Sequence, residues 1–141
     1  MIVLDTTVLV YAVAVGHPLR EASRRLVQAI GEGFAATTSV AVIQEFAHVR
    51  ARRRDRSDAR VRATEFAELL APLLPLVPND VEPGLRLFER NAELDASDAF
   101  LAAAAVTHGA EALVSADRAF AGVRGLRFVE LGSSRFDALF A

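Results

Sequence analysis

The sequence predicts an α/β protein, a sandwich with a mostly parallel central sheet, and three observations carry that prediction. Short apolar, β-branched runs of strand length alternate with segments whose apolar residues recur at helical spacing. The alanine-rich stretch up to about His108 is apolar nearly all round, the pattern of a helix buried in the middle of a domain. The 141 residues suit one domain, residues 1–141, and apolar types at 52% supply its core.

Ile2-Val3-Leu4 reads as a strand ending in Asp5, with Thr6 as the cap of a helix carrying Val8, Leu9 and Ala12. Pro18 suits the first turn of a second helix, with Leu19, Ala22, Leu26 and Ile30 on one face and Gly31 and Gly33 as its stop. A strand over Phe34 to Thr38 follows. Ser39 caps a helix with Val42, Phe46 and Val49, and Ser57 or Asp58 caps another with Val61, Phe66, Leu69 and Leu70. Pro72, Pro75 and Pro78 bracket a short strand over Leu73 to Val77. Asp80 starts a helical pattern through Leu85 and Phe88, and Asp95 or Ser97 starts the alanine-rich helix, which Gly109 stops. Strands over Ala112 to Ser115 and Leu126 to Leu131 and a short helix through Phe136 and Phe140 close the chain.

Composition removes whole classes of chemistry. There is no cysteine, hence no disulfide, thiolate metal site or thiol nucleophile. All 16 basic residues are arginine, which excludes lysine Schiff bases and Walker-type phosphate loops. The apolar opening, Met1 to Val15, lacks a basic n-region and is interrupted by Asp5, so a cytoplasmic protein is expected. The longest apolar runs span eight residues, against about 20 for a membrane span.

Four carboxylates occupy positions where a carboxylate is uncomfortable. Asp5 and Asp117 each end a predicted strand, at the edge where open α/β sheets place their ligands. Glu45 shares a helical stripe with Val42 and Val49, and Asp98 opens the alanine-rich helix above Leu101, Ala102 and Ala105. Singly, each has an ordinary reading: a cap or turn for Asp5 and Asp117, an arginine partner for Glu45, a helix-dipole position for Asp98. Asp95 reads as the cap of that helix or as a support for the other acids. Brought together, such acids repel one another, and a hard divalent cation, Mg²⁺ or Mn²⁺, relieves the repulsion. His17, His48 and His108 have no paired metal-ligand spacing, so zinc is not expected, and only His48, one turn after Glu45, is kept as a supporting group.

These residues resemble the PIN-domain ribonucleases, and among them the VapC-type toxins of bacterial toxin–antitoxin pairs. The resemblance rests on Ile2-Val3-Leu4-Asp5-Thr6-Thr7-Val8-Leu9-Val10, on the segment from Ser39 to Phe46, on Asp98-Ala99-Phe100-Leu101-Ala102-Ala103, and on the segment from Leu113 to Phe120. It implies a three-layer α/β/α sandwich and an acidic pocket for Mg²⁺ or Mn²⁺ at the strands' carboxyl ends. The four acids of the family fall on Asp5, Glu45, Asp98 and Asp117, with Thr6 and Ser115 as supporting hydroxyls. Thr7 stands where Asn or Ser is frequent, a departure expected to matter little. Ala119 replaces an additional acid, which leaves open whether one ion binds or two. The implied activity is endoribonucleolytic hydrolysis by a metal-activated water, leaving a 5′-phosphate and a 3′-hydroxyl. The implied partners are RNA, a cognate antitoxin and a second copy of the chain. Phe66-Leu69-Leu70 and Phe136-Leu139-Phe140 are candidate interface pieces, with the protein's own core as their other destination.

Setting the four acids aside leaves 14 acids against 16 arginines, a formal +2 for the rest of the chain. Arg50 to Arg62 concentrates it, with seven arginines against Asp55 and Asp58. Arg50, Arg53 and Arg54 are therefore RNA-contact candidates, although a solvated helix connection gives the same pattern. Two other functions compete. One is a catalytically silent PIN-like module that binds RNA or a partner; the other is a phosphatase built on Asp5, disfavoured because Thr7 replaces the second aspartate of haloacid-dehalogenase-type sites.

Overall fold

In the computed structural model, which describes residues 1–141, four short strands form one all-parallel sheet. They are β1 (Ile2–Leu4), β2 (Ala36–Thr37), β3 (Ala112–Ser115) and β4 (Phe128–Glu130), in the order β2-β1-β3-β4. Ile2 pairs with Ala36 on one side and with Ala112 on the other, and Leu113 pairs with Phe128. Six helices connect them, α1 (Thr6–Ala12), α2 (Arg20–Gly31), α3 (Val40–Arg53), α4 (Arg56–Leu69), α5 (Val81–Arg90) and α6 (Ala96–Thr107), and α7 (Ser134–Asp137) follows β4.

This strand order decides where a site can form. The chain moves outward from β1 to β2, then crosses back over β1 to β3. Right-handed crossovers carry the helices of these two connections to opposite faces, so a crevice opens between the carboxyl ends of β1 and β3. Asp5 and Asp117 lie at its lips.

β1 and β3 read as continuous apolar runs because both their faces are covered, and every residue in them is buried. α6 is buried along most of its length, from Ala99 to Ala105, with Phe100 half-buried. Small side chains let it lie close to its neighbours. Gly84 of α5 has the same role, since a Cβ there would stand 2.5 Å from the Phe100 ring. Gly109, at φ 64°, supplies the left-handed stop after α6.

Several predicted details move. Asp5, not Thr6, is the cap of α1, because its carboxylate reaches back to the Thr7 amide. Asp55, ahead of both candidates, caps α4 and accepts from the Asp58 amide at 2.7 Å. Leu73 to Val77 form no strand; Leu74 makes one isolated parallel bridge with Ser39 before the prolines end the pairing. Phe66, Leu70 and Phe136 are core residues. Among the apolar side chains left in solvent are instead Val81, Leu85 and Phe88 of α5. No helix is long and apolar enough to cross a membrane.

Candidate active site

Asp5 is fixed first. Its side chain is 3% exposed, and Oδ2 accepts from the Ser115 hydroxyl at 2.6 Å, from the Thr7 hydroxyl at 2.9 Å and weakly from the Thr7 amide at 3.4 Å. Both hydroxyls also accept backbone N–H groups from the loop after β3: Ala116 to Thr7 Oγ1 at 3.0 Å, and Asp117 to Ser115 Oγ at 2.9 Å. The donors therefore face the carboxylate because the loop amides occupy their lone pairs. All of these bonds fall on Oδ2, so Oδ1 has no protein donor.

Glu45 comes from α3, which packs against α1. Thr6 Oγ1 donates to its Oε2 at 2.7 Å, leaving Oε1 open. The expectation that Glu45 faces the core is corrected: Val42 and Phe46 take the buried face, and Glu45 stands exposed beside α1. Asp98 enters from the first turn of α6. Asp95 is the cap of that helix, its Oδ1 accepting the Asp98 amide at 2.8 Å. Asp117 is exposed, and its Oδ1 accepts the Ala119 amide at 2.9 Å, so it forms a turn and faces the crevice together.

Asp5, Glu45, Asp95, Asp98 and Asp117 line one cavity of about 290 Å³, with Thr6, Thr7, Val10, Tyr11, Val49 and Arg53. A second cavity of about 240 Å³ shares Asp5, Glu45 and Asp98 and is otherwise largely apolar, lined by Val42, Leu76 and Phe100 among others. The three acids thus stand between two depressions. Electrostatics reports their proximity. Burial, followed by the negative charges of Asp5, Asp95, Glu45 and Asp117, pushes the Asp98 carboxyl up from 3.8 to about 7. The position of Asp98 at a helix N-terminus works against this shift, and repulsion plus burial wins.

The donor set fits a hard cation. It consists only of oxygen, with Asp5 Oδ1 free, and the shift at Asp98 is the strain a positive charge would relieve. No three acidic or histidine side chains close tightly enough to enclose an ion alone. Mg²⁺ and Mn²⁺ keep several waters and take one or two carboxylates, so they do not require such an enclosure.

The arginine candidates separate. Arg53 lines the acid cavity, Arg54 is exposed at the end of α3, and Arg50 is engaged elsewhere. Its Nε donates to Asp58 on α4 and its Nη1 to the Val13 carbonyl. His48 is exposed and lines a different depression, with Gln44 and Arg56, away from the acids. Thr7, expected to matter little, makes two of the bonds that hold the centre. Its signal was its place two residues after a strand-ending aspartate, where a hydroxyl can return to the carboxylate. Tyr11 was missed, because only the packing of α1 on α3 brings it to the cavity.

A family model described as the PIN domain matches residues 2–126. The chain is 56% identical over 126 residues to Ribonuclease VapC7 of Mycobacterium tuberculosis, covering 86% of this chain and 85% of that protein. Among solved structures it is similar to Mycobacterium tuberculosis VapC20, a sarcin-ricin loop cleaving toxin, with TM-score 0.73, 18% identity and coverage of 90% and 99%. It is also similar to VapBC2 of Rickettsia felis bound to a promoter DNA fragment, with TM-score 0.72, 15% identity and coverage of 92% and 98%. At these identities the two structures bear on the fold.

Proposed function

Since the chain belongs to the PIN-domain family, we propose that it is a Mg²⁺- or Mn²⁺-dependent endoribonuclease of the VapC type, the toxin of a toxin–antitoxin pair. The observation that carries this reading is the convergence of Asp5, Glu45, Asp98 and Asp117 on one crevice, with Asp98 pushed up to about 7 by its neighbours. The similarity to a named ribonuclease supports the reaction, and the likeness to a toxin–antitoxin assembly supports an antitoxin as partner. A toxin acting on RNA of the cell that makes it would work in the cytoplasm.

A divalent ion bound here would lower the pKa of a coordinated water and polarise the scissile phosphate. Asp5 Oδ1, Asp98 and Asp117 are the groups to hold it. Glu45 Oε1, with Oε2 fixed by Thr6, is placed to accept the proton of an attacking water and keep it oriented for in-line attack. Ser115 and Thr7 hold the Asp5 carboxylate in its orientation. Arg53, in the same cavity, offers a phosphate a bidentate donor.

The test is cleavage of a structured RNA pool at low salt, with Mg²⁺ or Mn²⁺ against EDTA, by wild type and Asp98→Asn. Metal-dependent cleavage that disappears in a folded Asp98→Asn supports the proposal. Absence of cleavage by both proteins, with no Mn²⁺ binding by calorimetry, overturns it.

A further inference from the structure

Beyond the acids, the same cavity has a second wall, in which Val10, Tyr11 and Val49 have no part in the reaction described above. Thr7, Val10 and Tyr11 lie on one face of α1, and Glu45, Val49 and Arg53 on one face of α3. All six line the cavity. From the acidic end, Tyr11 lies about 9 Å along α1 beyond Asp5, and Arg53 about 12 Å along α3 beyond Glu45, at the 1.5 Å rise of a helix. The cavity therefore passes from carboxylates to a wall of two valines, one aromatic ring and one guanidinium.

Tyr11 is held rigidly there. The His17 ring stacks on it with centroids 3.8 Å apart and planes within 9°. Gly16, at φ 72°, turns the chain so that His17 comes back over α1, and the Leu19 amide donates to His17 Nδ1 at 3.1 Å. That bond places the imidazole proton on Nε2. Both rings remain half-buried, so neither is sealed into the core.

We infer that the Tyr11–His17 pair is an aromatic platform that receives an unpaired nucleobase next to the scissile phosphate, while Arg53 takes a neighbouring phosphate. This rests on the RNA-cleaving reading above and adds which side chains beside the acids take the base and how they are held. Bases in a duplex are stacked on each other and cannot pack against a protein ring, whereas bases of loops and single strands can. Aromatic platforms accept any base, since every base has a π-face. The substrate is therefore selected for being unpaired, and His17 acts through Tyr11 as a positioning residue.

The chain offers its own reporter, because Tyr11 is its one tyrosine and there is no tryptophan. The full-length protein with Mg²⁺ is titrated with a single-stranded oligoribonucleotide carrying phosphorothioate linkages, with an abasic oligomer of equal length, and with the duplex. Tyrosine fluorescence should be quenched by the base-bearing single strand and left unchanged by the other two. Tyr11→Leu should weaken binding of the single strand by about tenfold or more. Tyr11→Phe should retain it, and His17→Ala should show an intermediate loss. In cleavage assays, Tyr11→Leu should raise KM and relax the preference for unpaired sites. Metal-dependent cleavage with no fluorescence change, and with the same KM and sites in Tyr11→Leu, would overturn this inference and leave the nuclease reading standing. Failure to bind or cleave any RNA would overturn both.

Discussion

Ser115, on β3, donates a 2.6 Å hydrogen bond to Oδ2 of Asp5, which lies 110 residues earlier in the chain. It is a buried bond to a carboxylate acceptor, and the Ser115 hydroxyl oxygen itself accepts the Asp117 amide. Ser115→Ala should therefore cost about 1.5–3 kcal/mol of stability, the range for a hydrogen bond to a charged group. Thr7→Val, which also strands the Ala116 amide, should lose a comparable amount. Urea unfolding of both variants checks this; an unchanged midpoint in each would show that water replaces the hydroxyls at no cost.

The Asp98 carboxyl, raised from 3.8 to about 7, predicts an unusual pH profile for the metal-free protein. The folded chain holds a proton there that the unfolded chain releases near its ordinary value. Stability is then fullest below about pH 4 and declines as pH rises through 7. Asp58 acts at the acid end in the opposite sense. The Arg50 guanidinium holds its carboxyl below 3.8, so its contribution is present above that value and disappears as pH falls further. The melting temperature in EDTA should fall between pH 4.5 and 8 for wild type and stay flatter for Asp98→Asn. Mn²⁺ should reverse the wild-type decline. Parallel profiles for the two proteins would contradict the assignment.

Arg50 and Arg53 belong to one basic segment and should behave differently. Arg53→Ala should reduce the salt slope of RNA binding by about one and leave the melting temperature nearly unchanged. Arg50→Ala removes the link from α3 to Asp58 and to the Val13 carbonyl, so it should lower the melting temperature and leave the salt slope alone. Salt titrations beside thermal melts separate the two, and equal slopes in both variants would show that Arg53 touches no phosphate.

Gly84→Ala reverses the usual expectation for a helical glycine. Alanine ordinarily stabilises a helix interior by about 0.5–1 kcal/mol. Here its Cβ would lie 2.5 Å from Phe100 Cδ1, and overpacking costs about 1–3 kcal/mol. A net loss in denaturant unfolding is expected, together with a change in the apolar cavity beside the acids, which Phe100 lines. A stabilised variant would mean that the ring swings aside freely.

What was readable in the amino-acid order follows from how local each feature is. β3 and the alanine-rich α6 were legible because their apolar content matches burial on all sides, and Ser39 and Asp95 because a cap is decided within three residues. The cap of α4 was misplaced because Asp55, Ser57 and Asp58 are all competent, and only the turn after Arg54 selects among them. Leu73 to Val77 has strand composition, but its prolines remove the amides a ladder needs. The four acids stood out as carboxylates at strand ends or among apolar neighbours. The aromatic wall did not, since Tyr11 and His17 acquire meaning only where α1 meets α3.

The pairing of β1 with β3 sets an order of events during synthesis. Asp5 leaves the ribosome 110 residues ahead of its hydroxyl partner Ser115, and the neighbouring acid Asp117 follows later still. Contacts of such long sequence separation form late in folding. A nascent chain shorter than about 117 residues lacks the fourth acid and the loop amides that aim both hydroxyls. Chains truncated before Ala112 should accordingly show no nuclease activity when translated in a cell-free system. Until the segment from Ala112 to Asp117 has left the ribosome, the acidic centre lacks one of its acids and the hydroxyl that holds Asp5.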